Sequence, residues 1–241
     1  VTLREAQPGT VYLCGAGPGA PDLLTLRAHC LLQTADVILP DDLVSDEILD
    51  LASPSAEIIP VGKRCGQARI TQAGIHELML AHARDERSVL RLKSGDPLIF
   101  GRANEEIEFL RAARIPFEIV PGITAAFAAA AELQTPLTDR NSASKLILAT
   151  AHHAAGKLSG VTWEGAFPAE STLVLYMPGR DFGALTASLL GAGIPRETPV
   201  VAISKATTPH QQVLLTTLAE LPETQPGPAP LLLLIGRSIQ I

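Results

Sequence analysis

From Thr10 to Val120 the sequence alternates short apolar runs with stretches of helical periodicity, and this alternation restricts the fold more than any other feature. Connections this short leave room for crossovers on both faces of one parallel sheet and little else. Thr10–Cys14 is an apolar run that stops at glycines, and it reads as a buried strand. Asp22 can cap a helix through Leu23, Leu24, Leu26 and Leu31, which leads to the next apolar run, Val37–Leu39. Helix Ser45–Leu51, strand Ile58–Val61, helix Thr71–Arg84, strand Ser88–Leu92, helix Ala103–Ala113 and strand Phe117–Val120 continue the pattern. Within Thr71–Arg84, Ile75, Leu78, Met79 and His82 recur at i, i+3, i+4 and i+7, which marks one buried helix face. The expectation is an open α/β domain.

The second half is less regular. Ile123–Leu133 reads as an Ala-rich helix, Asp181–Leu190 as another, and Lys145–Thr150, Thr172–Tyr176, Pro199–Ser204, Gln212–Thr216 and Leu231–Ile235 as strands. A turn at Thr207–Pro209 makes two of these strands a hairpin, so the second sheet is expected to be mixed. The breaker pair Pro121-Gly122 divides the chain into an N-terminal α/β domain, residues 1–121, and a C-terminal α/β domain, residues 122–241. Ala154–Ala169 and the Pro-rich Pro222–Pro230 read as surface segments.

Composition excludes several classes. At 46% hydrophobic and 18% charged residues the chain is globular and not disordered. Nineteen basic against 25 acidic side chains give −6, which argues against nucleic acid held through overall charge. Cys14, Cys30 and Cys65 are odd in number and lack CxxC spacing, so neither a disulfide framework nor a zinc ribbon is expected. The adjacent His152-His153 lack a nearby Cys or Glu and make a poor metal set. The polar start VTLREAQPGT shows no signal peptide, and no apolar run nears the roughly 18 residues of a spanning helix. A cytoplasmic protein without metal or membrane contact is expected.

Ligands of open α/β sheets collect beyond the carboxyl ends of the strands. Four such ends carry unusual residues: Gly15-Ala-Gly-Pro-Gly19, Pro40-Asp41-Asp42, Gly62-Lys63-Arg64 and Ser94-Gly95-Asp96-Pro97. Gly15-x-Gly17-x-x-Ala20 satisfies a dinucleotide fingerprint, with Asp36 or Asp41 at about the right distance. That fingerprint needs a helix starting at once, with its N-terminus on the pyrophosphate. Pro18 and Pro21 interrupt here, and a cap at Asp22 would oppose a second anion. A nicotinamide or flavin cofactor is therefore disfavoured. Glycines serving only a tight turn remain the simpler alternative.

Further blocks accompany these clusters: L-L-T-L at 23–26, A-D-V at 35–37, D-x-L-V-S at 41–45 and V-G-K-R at 61–64. R-L-K-x-G-D-P at 91–97, F-G-R-x-x-E-E at 100–106, I-P-F-E-I-V-P-G-I-T-A at 115–125 and P-L-T-x-R at 136–140 follow in order. Taken together, the chain resembles the tetrapyrrole methylase family along essentially its whole length, and most of all its uroporphyrinogen III C-methyltransferases. The resemblance implies two α/β domains with the cofactor in the cleft between them, and a homodimer. It implies S-adenosylmethionine as methyl donor, S-adenosylhomocysteine as product, and a tetrapyrrole acceptor, uroporphyrinogen III, methylated twice to precorrin-2. Pro18, Ser94, Gly95, Asp96, Ile99, Thr124, Ala125, Met177 and Ala206 fall on positions implied to hold the donor. Asp41 matches the implied proton acceptor and Lys63 the proton donor, while Arg102, Glu105, Arg140 and His152 match positions lining the tetrapyrrole site. Dehydrogenase, chelatase and synthase steps are expected on other proteins.

These residue types suit the chemistry. A sulfonium methyl is already activated, so alignment with the carbon nucleophile is the main task. The attacking pyrrole becomes cationic and then loses a proton, which a carboxylate such as Asp41 can manage. A substrate with eight carboxylates needs a locally basic site, for which Lys63, Arg64, Arg69, Lys93, Arg102 and Arg140 are candidates. Each has an ordinary alternative: Arg102 pairing along a solvated helix with Glu105 or Glu106, Asp41 as a turn acid, Met177 as core. A sibling methylase of a later corrinoid precursor, an RNA methylase of the same fold and a non-catalytic binding module are the competing functions. Ser94, Ala103-Asn104, Ala151 and Ala206 stand where the family has glycine, which requires a negative φ at each. Pro40, Asp42 and Asp139 replace its usual Tyr, Arg and His.

Overall fold

The computed structural model describes residues 3–62, 70–151 and 165–239. The chain divides into two compact units, Val1–Thr124 and Ala125–Ile241.

The first unit holds strands β1 (Val11–Gly15), β2 (Val37–Pro40), β3 (Glu57–Ile58), β4 (Val89–Lys93) and β5 (Phe117–Val120), all parallel, in the order β3-β2-β4-β1-β5. Helices α1 (Leu26–Thr34) and α2 (Asp46–Leu49) cover one face, and α3 (Gln72–Arg84) and α4 (Ala103–Ala113) the other. Period two along the strands sorts the side chains. Tyr12, Cys14, Ile38, Leu90 and Leu92 pack on Leu31, Leu32 and Ile48, whereas Val11, Leu13, Val37, Leu39 and Val89 pack on Ile75, Met79, Ile107 and Leu110. By the same alternation Arg91 and Lys93 point to the α3/α4 face. Both are buried there.

One helix start differs from expectation. Pro21–Leu23 is a single 3-10 turn, Leu24 is extended, and α1 begins at Leu26 with Thr25 as its cap. The Thr25 hydroxyl accepts from the Ala28 amide at 3.1 Å, as a cap oxygen does for an orphan N–H. Asp22 therefore caps no helix: Pro21 favours the tight turn, and the chain must extend before a second helical segment can start. Thr71 and Asp181 cap α3 and α6 (Phe182–Gly191) in the same way as Thr25.

The second unit opens with α5 (Ala125–Glu132) and continues through β6 (Lys145–Thr150), β7 (Ser171–Tyr176), α6, β8 (Pro199–Ser204), β9 (Gln212–Thr217) and β10 (Leu231–Ile235). The sheet order is β6-β7-β10-β8-β9; β6 and β7 are parallel, and the other pairs are antiparallel. The mixed sheet and the β8–β9 hairpin agree with the sequence reading. Leu173, Leu175, Ala202 and Leu233 pack on Leu185 and Leu189 of α6. Val174, Val201, Ile203 and Leu234 pack on Ala126, Ala129 and Ala130 of α5.

Cys14 and Cys30 are free and buried, and burial pushes the Cys14 thiol up to about 12, which makes it an inert core residue; Cys65 lies outside the described residues. Among the described residues no helix is long and apolar enough to cross a membrane.

Candidate active site

The carboxyl ends of β1, β4 and β5 approach one another so closely that only glycines fit. A Cβ on Gly15 would lie 2.5 Å from the Gly95 carbonyl oxygen and 2.6 Å from Gly122 Cα. Gly17 and Gly95, with φ of 70° and 69°, form a two-bond bridge, N to O at 3.2 Å one way and 2.7 Å the other. Left-handed φ is the reason both are glycine. Asp96 locks the arrangement: Oδ2 accepts from the Gly122 amide at 3.0 Å and Oδ1 from the Leu98 amide at 2.8 Å. The glycine loop is therefore spent on a bridge and does not lead into a helix, since α1 starts only at Leu26. No pyrophosphate site of the dinucleotide type is built. The three strand ends thus meet in a glycine cradle closed by backbone, on loops that also carry partly buried Pro18, Ser94 and Ile99. None of Ser94, Ala103, Asn104, Ala151 and Ala206 has a positive φ, so the side chains at these expected glycine positions cause no backbone strain.

Asp41 follows β2 and is about a third exposed; its Oδ1 accepts from Arg91 Nη2 at 2.5 Å. Arg91, on β4, is 3% exposed; its Nε donates to Glu106 Oε1 at 2.9 Å and its Nη1 to the Leu39 carbonyl at 3.1 Å. Lys93 Nζ sits 2.9 Å from Glu106 Oε2. Glu106 belongs to the buried stripe of α4, with Ala103, Ile107 and Leu110, and is fully buried. Burial lowers the affinity of Arg91 for its proton, but Asp41 and Glu106 more than offset this and hold the guanidinium above its ordinary value. Burial, then repulsion from Arg91, pulls Lys93 below its ordinary value despite Glu106. Lys93 is thus not a cation for substrate, as the sequence reading had it; the α4/β4 packing commits it to Glu106.

After β4 the chain crosses Pro97–Gly101 in a tight loop. A Cβ on Gly101 would meet the Pro97 carbonyl oxygen at 2.6 Å, and the flanking Phe100 and Arg102 are left-handed, with φ of 53° and 55°. Arg102 precedes α4 and makes a bidentate pair with Glu105, both contacts at 2.7 Å, half exposed on both sides. The shared hydrogen bonds lower the Glu105 pKa and raise that of Arg102.

In the second unit β6, β7 and β8 all end at the same sheet edge, because β6 is parallel to β7 and both β7 and β8 oppose β10. Met177, just past β7, is 46% exposed with φ of 49°, which replaces the core-packing alternative. Ala206 is buried between left-handed Lys205 and Thr207 past β8. The Tyr176 hydroxyl accepts from the Ala126 amide at 3.2 Å and holds the start of α5, with Ala125, at that edge. Arg140 is exposed in the turn that Asp139 organises before β6, at the leading end of that strand. Thr124 is buried at the end of the first unit. Lys63, Arg64, Arg69 and His152 lie outside the described residues.

Sequence reasoning singled out Asp41 but not its partners Arg91 and Glu106. The signal was present: two charges at buried strand positions and a carboxylate in an apolar helix stripe must pair with one another.

The model of the Tetrapyrrole (Corrin/Porphyrin) Methylases matches residues 10–222. Siroheme synthase 2 of Halorhodospira halophila is 44% identical over 99% of this chain and 48% of its own length. The chloroplastic S-adenosyl-L-methionine-dependent uroporphyrinogen III methyltransferase of Arabidopsis thaliana is 42% identical over 98% of this chain and 65% of its own. The chain thus spans about half the length of the siroheme synthases it matches. The crystal structure of a Thermus thermophilus uroporphyrin-III C-methyl transferase complexed with S-adenyl homocysteine superposes with a TM-score of 0.81 at 37% identity, covering 95% of this chain and 98% of that one. On these matches the chain belongs to the tetrapyrrole (corrin/porphyrin) methylases.

Proposed function

We propose that this chain transfers methyl groups from S-adenosylmethionine to ring carbons of uroporphyrinogen III, twice, through precorrin-1 to precorrin-2. The observation that carries the reading is the pairing of a glycine cradle with a rim carboxylate, Asp41, anchored from the core at the same sheet end. The cradle serves the donor by letting the three strand ends close on one another, so that the loops carrying Pro18, Ser94–Asp96 and Thr124 start from one place. When bound, the donor supplies a methyl group on a sulfonium, already activated for transfer. The chain then aligns the acceptor carbon and handles its charge and proton.

In the first unit Pro18, Ser94, Gly95, Asp96, Ile99 and Thr124 take the donor, with Asp96 acting by holding the loop in shape. Ala125, Met177 and Ala206 of the second unit serve the donor also. Asp41 accepts the ring proton, Lys63 returns one, and Arg102, Glu105, Arg140 and His152 hold acceptor carboxylates and pyrrole groups. The test is incubation with uroporphyrinogen III and labelled donor, followed by mass analysis, together with calorimetry against S-adenosylhomocysteine and NAD. A doubly methylated product and a response to S-adenosylhomocysteine alone are expected. Tight NAD binding without a response to S-adenosylhomocysteine ends the methylase reading, and methylation of a later corrinoid but not uroporphyrinogen III moves it to a sibling reaction.

The chain is further expected to form a homodimer. Phe127, 52% exposed on the Ala-rich α5, leaves apolar surface for a second copy to cover. Light scattering at micromolar concentration should give twice the 25.4 kDa chain mass, and a strictly monomeric mass refutes the dimer.

A further inference from the structure

We propose that Glu106 is a positioning residue for the reaction: from inside the core it fixes, through Arg91, the direction of the Asp41 carboxylate at the rim. The inference rests on the methyl-transfer reading, in which Asp41 accepts the proton.

Folding alone does not call for a carboxylate at position 106. Ala103, Ile107 and Leu110 share its buried stripe, and an apolar residue would complete that stripe without the cost of burying a charge. Replacing a buried ion cluster with apolar groups is often neutral or stabilising, so the cluster is weakly explained by stability. Its geometry explains more. A guanidinium is planar, so a fixed Nε and Nη1 also fix Nη2. Glu106 Oε1 holds Nε at 2.9 Å and the Leu39 carbonyl holds Nη1 at 3.1 Å, leaving Nη2 aimed at Asp41 Oδ1. Glu106 is itself held by Lys93 Nζ at 2.9 Å and by Gln72 Nε2 at 3.3 Å. In formal charges the cluster pairs two basic side chains, Arg91 and Lys93, with two acidic ones, Glu106 and Asp41. Asp41 alone in this cluster is substantially exposed, at 33% against 0–3% for the others. A reactive group on a rim with a buried, hydrogen-bonded support beneath it is how a site holds its geometry.

The experiment compares the full chain with Glu106→Gln, Asp41→Asn and the double variant, reading kcat, KM for uroporphyrinogen III and affinity for S-adenosylhomocysteine. Glu106→Gln should lower kcat by about 10–100-fold, the size typical of losing outer-shell support. KM and donor-product affinity should stay within about threefold. If Glu106 acts through Asp41, the double variant is no slower than Asp41→Asn alone. Glu106→Gln leaves Arg91 and Lys93 without their buried anion and risks unfolding, so a companion, Glu106→Met with Lys93→Met, removes one charge of each sign. The same loss of kcat is expected from it, with circular dichroism and melting showing that it folds. A kcat within threefold of wild type in a folded variant, multiplying losses in the double variant, or failure of both Glu106 variants to fold overturns the proposal. A wild-type chain that methylates nothing overturns the parent reading and this one together. An active wild type whose Glu106 variants keep pace overturns this one alone.

Discussion

Gly122→Ala should cost the first unit about 3 kcal/mol or more and abolish S-adenosylhomocysteine binding, although it adds a single methyl group. The new Cβ would stand 2.2 Å from the Gly95 carbonyl oxygen and 2.9 Å from Gly15 Cα. Both neighbours are backbone, so no rotamer change relieves the overlap; the ends of β1, β4 and β5 must separate. That separation breaks the Asp96–Gly122 hydrogen bond and distorts the Gly17–Gly95 bridge, the two features that shape the cradle. The φ of Gly122 is not left-handed, so the cost arises from space and not from backbone conformation. Gly191→Ala at the end of α6 is the control: nothing lies within 4 Å of its Cβ, and little change is expected there. Thermal melting should fall by roughly 6–12 °C for a chain of this size. A variant that melts with wild type and binds S-adenosylhomocysteine as tightly would show that the cradle is no part of the donor site.

The first sheet was legible because its signal is local and redundant. Continuous apolar runs such as Thr10–Cys14 and the i, i+3, i+4 stripe of α3 point to the same layers, and β1 and α3 form where expected. The start of α1 was not legible. Asp22 and Thr25 are both competent caps, and the choice between them depends on how Pro21 turns the chain, which spacing does not report. The site was half legible. Glycine clusters at strand ends marked where three strands meet, because a close backbone approach admits nothing larger. Asp41 stood out at a strand end, but its partners come from positions 50 and 65 residues away, on a strand and a helix whose face is set only by packing. Their charges in apolar positions were the available clue. Met177, which the resemblance put at the donor site with core packing as the alternative, is 46% exposed just past β7 on a left-handed backbone.

Arg102→Ala should lower the methyl-transfer rate by roughly 30- to 1000-fold, equivalent to about 2–4 kcal/mol of transition-state stabilisation. The structure makes this a clean experiment. Arg102 is 56% exposed and its only ion-pair partner among the described residues is Glu105, so removing it costs stability no more than about 1 kcal/mol. Alanine bears the same left-handed backbone that arginine already does, with φ of 55°, so the loop from Pro97 to Gly101 has no new reason to move. A large loss of rate from so mild a structural change would have to come from contact with the acceptor. The bidentate Glu105 contact shows the fork engaged with one carboxylate, as it would engage a carboxylate of the proposed acceptor. Arg102→Lys should recover little, since an ammonium offers no planar pair of donors. S-adenosylhomocysteine affinity should stay within about threefold, because the proposed donor residues of the first unit, Pro18, Ser94–Asp96 and Thr124, do not include Arg102. Methyl-transfer rate and S-adenosylhomocysteine affinity, measured on one preparation, decide it. If the alanine variant turns over within threefold of wild type, the Arg102–Glu105 pair is an ordinary solvated helix contact, and the acceptor's carboxylates are held elsewhere.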